Sequence, residues 1–278
     1  AITAKFSENV LDATNAFEHI VTDESELQGI PDYAKDGALE LAKSEGKEGY
    51  KFTLQFPSYF PVLQYAEHRP LREALYEAYA KRASEFGPAE LDNTALIKEL
   101  LELRQEEAQM LGYRHFGDLS LVPKMAKSPE EVITFLRELA SKAKPFGEKD
   151  LAELKAFAAE ELGMNELQSW DISYVSEKLK QKKYAFSDLE VRQYFQEDRV
   201  LDGLFKLTEK LFNVRIQKAD AELWHEDVRF FEVLKDSKAI AHFYLDCYAR
   251  QSKRSGAWMD DARGRKRTPQ GLQTPVAY

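Results

Sequence analysis

The hydrophobic period of this chain changes near Asn213, and that change limits the folds open to it. Up to Phe212 the apolar residues return mostly every three or four positions, the spacing of helices that bury one face. Beyond it, Val228–Lys235 and Ala239–Tyr248 are rich in β-branched and aromatic residues and flank Asp236-Ser237-Lys238, which predicts a β-hairpin. The expected fold is therefore mainly α: a multi-helix scaffold with a small antiparallel β-sheet near the C-terminal end. Its regions are a helical scaffold over 1–212, interrupted by one short strand near 50–56, and a β-rich region over 213–278.

Local signals place the helices. Ile2, Phe6, Val10 and Phe17, with Ala13 between the last two, share one face of a first helix that no Ser, Thr, Asp or Asn precedes. Two readings stay open there, a chain that begins inside an element and an ordinary start after removal of an initiator Met. Pro31 to Ser44 reads as a second helix broken by Gly46 and Gly49. Tyr50, Phe52, Leu54 and Phe56 then alternate with polar residues as a half-buried strand that stops at Pro57. Pro70 opens a helix carrying Leu71, Leu75 and Tyr79, and Asp92 caps one carrying Leu96, Leu100, Leu103 and Leu111. Ser128-Pro129-Glu130-Glu131 supplies a cap, a first-turn proline and a third-position Glu. The apolar run that follows, punctuated by Pro145 and Gly147, predicts a helical hairpin or one kinked long helix. Further helices are expected over about Asp171–Lys182, after Ser187, and over Asp198–Phe212. In the second strand of the hairpin, Ala241, Phe243, Leu245 and Cys247 form the apolar face, and His242, Tyr244 and Asp246 lie on the other with Ile240.

Composition removes several functions. Asp and Glu number 48 against 39 Lys and Arg, a formal charge of -9 that argues against nucleic-acid and membrane-surface binding, since both partners are polyanions. The local run Arg263-Gly264-Arg265-Lys266-Arg267 reads as a solvated loop able to touch an anion. Cys247 is the only cysteine, so no intrachain disulfide forms, and a cytoplasmic location is expected. No stretch approaches the ~18 consecutive apolar residues of a membrane helix.

The chemistry-bearing residues are as informative by their spacing. A helical zinc site needs two His at i and i+4 with a Glu between them as base. None of His19, His68, His115, His225 and His242 has a partner four residues away. His225-Glu226-Asp227-Val228-Arg229 starts correctly but puts Arg229, a cation, where the second ligand belongs. No metal ligand is therefore expected in this chain. No G-x-S-x-G elbow occurs, Cys247 reads as a buried small hydrophobe, and no glycine pattern cradles a phosphate. Glu106-Glu107, Glu130-Glu131 and Asp260-Asp261 read as solvated pairs, and no catalytic residue is assigned.

Six ordered segments carry a family likeness. Phe6–Phe17 (FSENVLDATNAF), Thr53–Val62 (TLQFPSYFPV), Leu71–Ser84 (LREALYEAYAKRAS), Leu111–Asp118 (LGYRHFGD), Leu167–Glu177 (LQSWDISYVSE) and above all Val228–Met259 resemble the oligopeptidase A and thimet oligopeptidase family of zinc metallopeptidases. Within the last, FYLDCYAR and KRSGAWM follow the family pattern, with Cys247 where Leu is usual and Ser255 where Gly is usual. The resemblance implies two mostly helical halves around a deep channel that admits short peptides, with this strand region as channel wall. It also implies zinc in the intact enzyme, held by an H-E-x-x-H segment that no position here matches. The expectation is an internal portion of such an enzyme, inactive alone, with the catalytic segment beyond residue 278 and possible partnership with that segment if supplied separately. Gly256, Ala257 and Trp258 are the candidate substrate-binding residues, small residues leaving strand-edge backbone open to an extended peptide. The alternative is a complete, non-catalytic helical module that binds peptides or a protein partner.

Overall fold

The computed structural model of the protein describes residues 1–185, 187–250, 253–254 and 256–278, so the substitution at Ser255 lies outside the described residues. The fold is mainly α and comprises two compact units, Ala1–Ala185 and Phe186–Tyr278. The change of period near Asn213 thus falls inside the second unit.

In the first unit, helix α1 (Ile2–Ala16) leads into a three-residue strand β1 (His19–Val21), too short to show in the sequence pattern. Helix α2 (Asp32–Ser44) begins directly after Pro31, and β2 (Tyr50–Phe52) pairs antiparallel with β1, Val21 opposite Tyr50. Gly49, at φ +92°, lets the chain turn there, and a Cβ would stand 2.5 Å from the Val21 carbonyl oxygen. The strand expected over 50–56 stops at Phe52. Phe56 already belongs to helix α3 (Phe56–Tyr65), with Pro57 in its first turn and the Ser58 hydroxyl accepting the Thr53 N–H at 3.0 Å. Leu54 stays buried in the link.

Helices α4 (Arg69–Ala80), α5 (Thr94–Met110) and α6 (Phe116–Leu121) follow. Asp92 accepts the N–H of Thr94 at 2.9 Å just ahead of α5. Helix α7 (Pro129–Leu162) runs unbroken through Pro145, so of the two expectations the single long helix holds. Its start is the one foreseen: Ser128 Oγ accepts from Glu131 N–H at 3.2 Å, and Glu131 reaches back to Lys127 N–H at 2.7 Å. Helix α8 (Ile172–Tyr184) completes the unit.

The core of this unit joins β1, β2, α2, α3 and α4 through Val21, Ala38, Phe52, Leu54, Val62, Leu71 and Leu75, all at most 4% exposed. A second cluster, Phe157, Ala158, Tyr174 and Val175, seals the end of α7 against α8. Between α4 and the loop before α8 lies a buried ionic node. Asp171 (0% exposed) accepts from Arg72 (1% exposed) at 2.7 Å and from Arg69, and Arg72 also donates to the Ala66 carbonyl at 2.7 Å. Burial pushes the Asp171 carboxyl up, but the hydrogen bonds from Arg69, Arg72 and the Gln168 N–H prevail and hold it below the usual range.

The second unit contains helices α9 (Asp188–Arg192), capped by Ser187, and α10 (Glu197–Phe212). Strands β3 (Arg215–Lys218), β4 (Arg229–Lys235), β5 (Lys238–Leu245), β6 (Asp261–Arg263) and β9 (Val276–Ala277) make one sheet in the order β3-β4-β5-β9-β6. It is antiparallel except where β9 pairs parallel with β5. Strands β7 (Lys266–Thr268) and β8 (Gly271–Gln273) form a separate hairpin. The predicted β4–β5 hairpin turns on Asp236 and Ser237, both at positive φ (51° and 62°), as a two-residue turn matched to strand twist requires. Phe205 of α10 packs edge-on against Phe231 and Phe243, with ring centroids 5.0 and 6.0 Å away. The expectation that Cys247 is buried is corrected: β5 ends at Leu245, and Cys247 lies exposed beyond it. Just past the strand, Asp246 draws Arg250 and Lys253 onto its carboxylate.

Candidate functional site

The residues singled out for substrate, Gly256, Ala257 and Trp258, lead into β6, and the strand order places β6 at an edge of the sheet. All three are exposed and have no strand assignment, so they precede the edge strand rather than form it. The segment is held in place at its far side. Asp260 and Tyr278 exchange both backbone hydrogen bonds, at 2.9 and 3.0 Å, and Trp258 meets the Tyr278 ring edge-on at 5.4 Å. Gly256 takes φ +110° with open space where a Cβ would stand, so its need for glycine is conformational.

Ahead of this stretch, Asp246 acts as a clamp. Its carboxylate accepts two hydrogen bonds from Arg250, each 2.7 Å, one from Lys253 at 2.9 Å and one from the Trp224 indole at 3.1 Å. The Arg250 hydrogen bonds, joined by those of Lys253 and Trp224, hold this carboxyl far below its usual range against the opposing push of partial burial. Lys253 also donates to the carbonyls of Asp246 and Tyr248. One half-buried acid thereby gathers Trp224, Arg250 and Lys253 just beyond β5.

A feature that residue-by-residue reading missed lies across β4 and β5. Trp224, Tyr244, Phe230 and His242 form a continuous aromatic ladder, with neighbouring centroids 4.8, 4.5 and 5.5 Å apart. The signal was present in the placing of His242 and Tyr244 on one face. It needed the register, which sets Phe230 opposite Tyr244, to become a surface.

Three of the five histidines serve the fold. His115 caps α6 through the Asp118 N–H at 3.3 Å, His225 accepts the Asp227 N–H at 3.2 Å, and His242 stacks on Phe230. Among the described residues no group of three or more His, Cys, Asp or Glu is gathered to hold a metal ion, so the side chains present do not fit a zinc site. Nor do they assemble a nucleophile with a base: exposed Cys247 has the Arg229 guanidinium, not a histidine, within 3.8 Å. The arrangement offers backbone pairing and aromatic contact. Among the described residues no helix is long and apolar enough to cross a membrane.

Comparison with known proteins gives the chain its relatives. Peptidase family M3 matches residues 62–278. Oligopeptidase A of Haemophilus influenzae is 49% identical over 100% of this chain, the match covering 41% of that protein. Oligopeptidase A of Escherichia coli is 47% identical over 99% of this chain and 41% of its own length. The organellar oligopeptidase A of Arabidopsis thaliana, described as chloroplastic/mitochondrial, is 42% identical over 100% of this chain and 37% of its own. The chain spans about two fifths of the length of these curated relatives.

Proposed function

This chain belongs to peptidase family M3, and from that premise we propose that it is the scaffold and channel-wall portion of an oligopeptidase A-like zinc metalloendopeptidase acting on short peptides. In this reading the helical region 1–212 is the non-catalytic scaffold and 213–278 begins the catalytic half. Zinc and its general-base Glu belong to a segment of the intact enzyme that this sequence does not match, and the chain alone does not cleave peptides. The intact enzyme works in the cytoplasm, where a chain with one cysteine folds without oxidation.

The observation that carries the proposal is the open edge at β6, preceded by exposed Gly256, Ala257 and Trp258. An extended peptide laid along such an edge completes its unpaired N–H and C=O groups. The exposed Trp258 ring beside the edge offers an apolar contact for its side chains. Sequence identity along the entire chain with proteins named oligopeptidase A supports the substrate class.

The test uses the purified chain. Titration with an extended, uncleaved peptide is expected to change Trp258 and Trp224 emission saturably, while a quenched peptide substrate is not hydrolysed and no equivalent of zinc survives dialysis. One equivalent of retained zinc together with hydrolysis refutes the scaffold assignment. The absence of any peptide response removes the edge as a binding surface.

A further inference from the structure

The run from Arg263 to Arg267 gathers four cations into five residues. Some exposed cations elsewhere meet a carboxylate: Lys81 meets Glu77 at 2.8 Å, Arg114 meets Asp118 at 2.9 Å, and Lys206 meets Asp202 at 2.6 Å. Arg263, Arg265, Lys266 and Arg267 are all exposed, and among the described residues none of them has a carboxylate within ion-pair distance. This holds although the chain carries 48 acids and two of them, Asp260 and Asp261, lie immediately upstream. Asp260 is engaged elsewhere, its carboxylate accepting the Asp261 N–H at 2.8 Å.

Topology gives the run a direction. Arg263 closes the edge strand β6, and its guanidinium donates to the Thr274 carbonyl at 3.2 Å, which pins it beside β9. Lys266 and Arg267 open β7, opposite Gln273 and Leu272 of β8. Successive residues of a strand point to opposite faces, so the ribbon presents cations on both sides next to the open edge. Several like charges this close repel one another until an anion arrives. Their field extends about a Debye length, ~8 Å at physiological salt.

We propose that this cationic ribbon selects acidic extended peptides, the exposed side chains of Arg265, Lys266 and Arg267 meeting Asp or Glu side chains of a strand laid along β6. The proposal rests on the reading of β6 as a peptide-binding edge and adds the specificity of that site. Charge complementarity of this kind acts mainly on selectivity and encounter rate. A polynucleotide is the rival anion. A chain of charge -9 with four clustered cations is poorly built for it.

The experiment measures binding of labelled, uncleaved eight-residue β-forming peptides to the full chain by fluorescence anisotropy, with Glu, Gln or Lys at alternate positions. The Glu peptide is expected to bind about tenfold tighter than the Gln peptide, and to lose that advantage between about 50 and 200 mM salt. In the triple variant Arg265→Glu, Lys266→Glu, Arg267→Glu the order reverses in favour of the Lys peptide, with the far-UV circular dichroism unchanged. Should charge reversal perturb folding, the milder Lys266→Gln, Arg267→Gln variant reports the same loss of preference. Equal binding of Glu and Gln peptides overturns the proposal and leaves the edge intact. Binding of none of the three overturns both. A single-stranded oligonucleotide that outcompetes the Glu peptide at equal salt assigns the ribbon to nucleic acid instead and also overturns it.

Discussion

The two units of the chain are stabilised by different means. In Ala1–Ala185 the apolar residues of five elements converge on one core, and even its ionic node is sealed, Arg72 and Asp171 being at most 1% exposed. In Phe186–Tyr278 only Val228 and Phe231 are buried hydrophobics among the described residues, while Val200, Leu204, Leu207 and Leu211 line an exposed face of α10. That unit is organised by sheet ladders, half-exposed aromatic stacks and the Asp246 clamp. The difference shows where stability resides and where surface has been left for contact. A buried core supplies most of a domain's free energy, and a half-exposed sheet keeps aromatic and backbone groups accessible.

The sharpest way to break that comparison is to attack the sealed node. Asp171→Asn leaves Arg72 buried beside a neutral amide, and removal of one partner from a buried pair costs about 3–5 kcal/mol. Denaturant titration of the variant against the parent measures it, and a loss below about 1 kcal/mol refutes the structural role. The pH dependence carries a sign. The folded-state carboxyl of Asp171 lies below its unfolded value, so its contribution is complete above about pH 4 and is lost as pH falls through the lowered folded value. Asp171→Asn should therefore flatten the acid limb of the stability curve as well as lower its plateau.

One substitution applied to both units tests the contrast directly. Leu75, 0% exposed, and Leu207, 55% exposed, are both helical leucines. Leu75→Ala should cost about 2–5 kcal/mol through lost burial and the cavity left behind, whereas Leu207→Ala should stay within about 0.5 kcal/mol. Comparable losses at the two sites in chemical denaturation would erase the distinction between the units.

These asymmetries also explain what was legible before the structure. The start of α7 was readable because Ser128, Pro129 and Glu131 act within one turn, and the β4–β5 hairpin because its alternation and turn are adjacent in the chain. The Arg72–Asp171 pair was not, since 99 residues separate its members and nothing local marks them. Strand β1 is too short to express a period, and the end of β2 was lost to α3 because Phe56 continues the alternation while already helical. Cys247 was misplaced for a similar reason: the alternation runs past Leu245, whereas the strand ends there and Asp246 pairs with Arg250 and Lys253 instead. At the candidate site, Gly256–Trp258 could be named from family likeness. The position of β6 at an edge depended on β9 returning parallel to β5, a pairing no local pattern announces.

Smaller effects sharpen the account of the second unit. Asp246→Asn removes a carboxylate whose side chain is 17% exposed and whose partners are Arg250, Lys253 and the Trp224 indole. Loss of charge-assisted hydrogen bonds of this kind should cost about 1–3 kcal/mol. The more diagnostic readout is Trp224 emission, which should shift as the indole loses its acceptor. An unchanged spectrum with full stability would show that the Asp246 contacts do not stabilise this unit.

The smallest expected effect runs in the opposite direction. Asp236 and Ser237 turn the β4–β5 hairpin with φ of 51° and 62°, and a left-handed conformation costs a non-glycine residue about 1–2 kcal/mol. Ser237→Gly removes that strain at the second turn position, where glycine is favoured, but adds freedom to the unfolded chain worth about 0.4–1 kcal/mol. The net is a gain of about 0.5 kcal/mol, visible as slower hydrogen exchange of the paired amides between Arg229 and Leu245. Ser237→Ala, which keeps the Cβ, should show no such gain. Faster exchange in the glycine variant would mean that the Ser237 side chain, and not the backbone turn, holds the hairpin, and that local geometry contributes less to this unit than the comparison with the buried first unit requires.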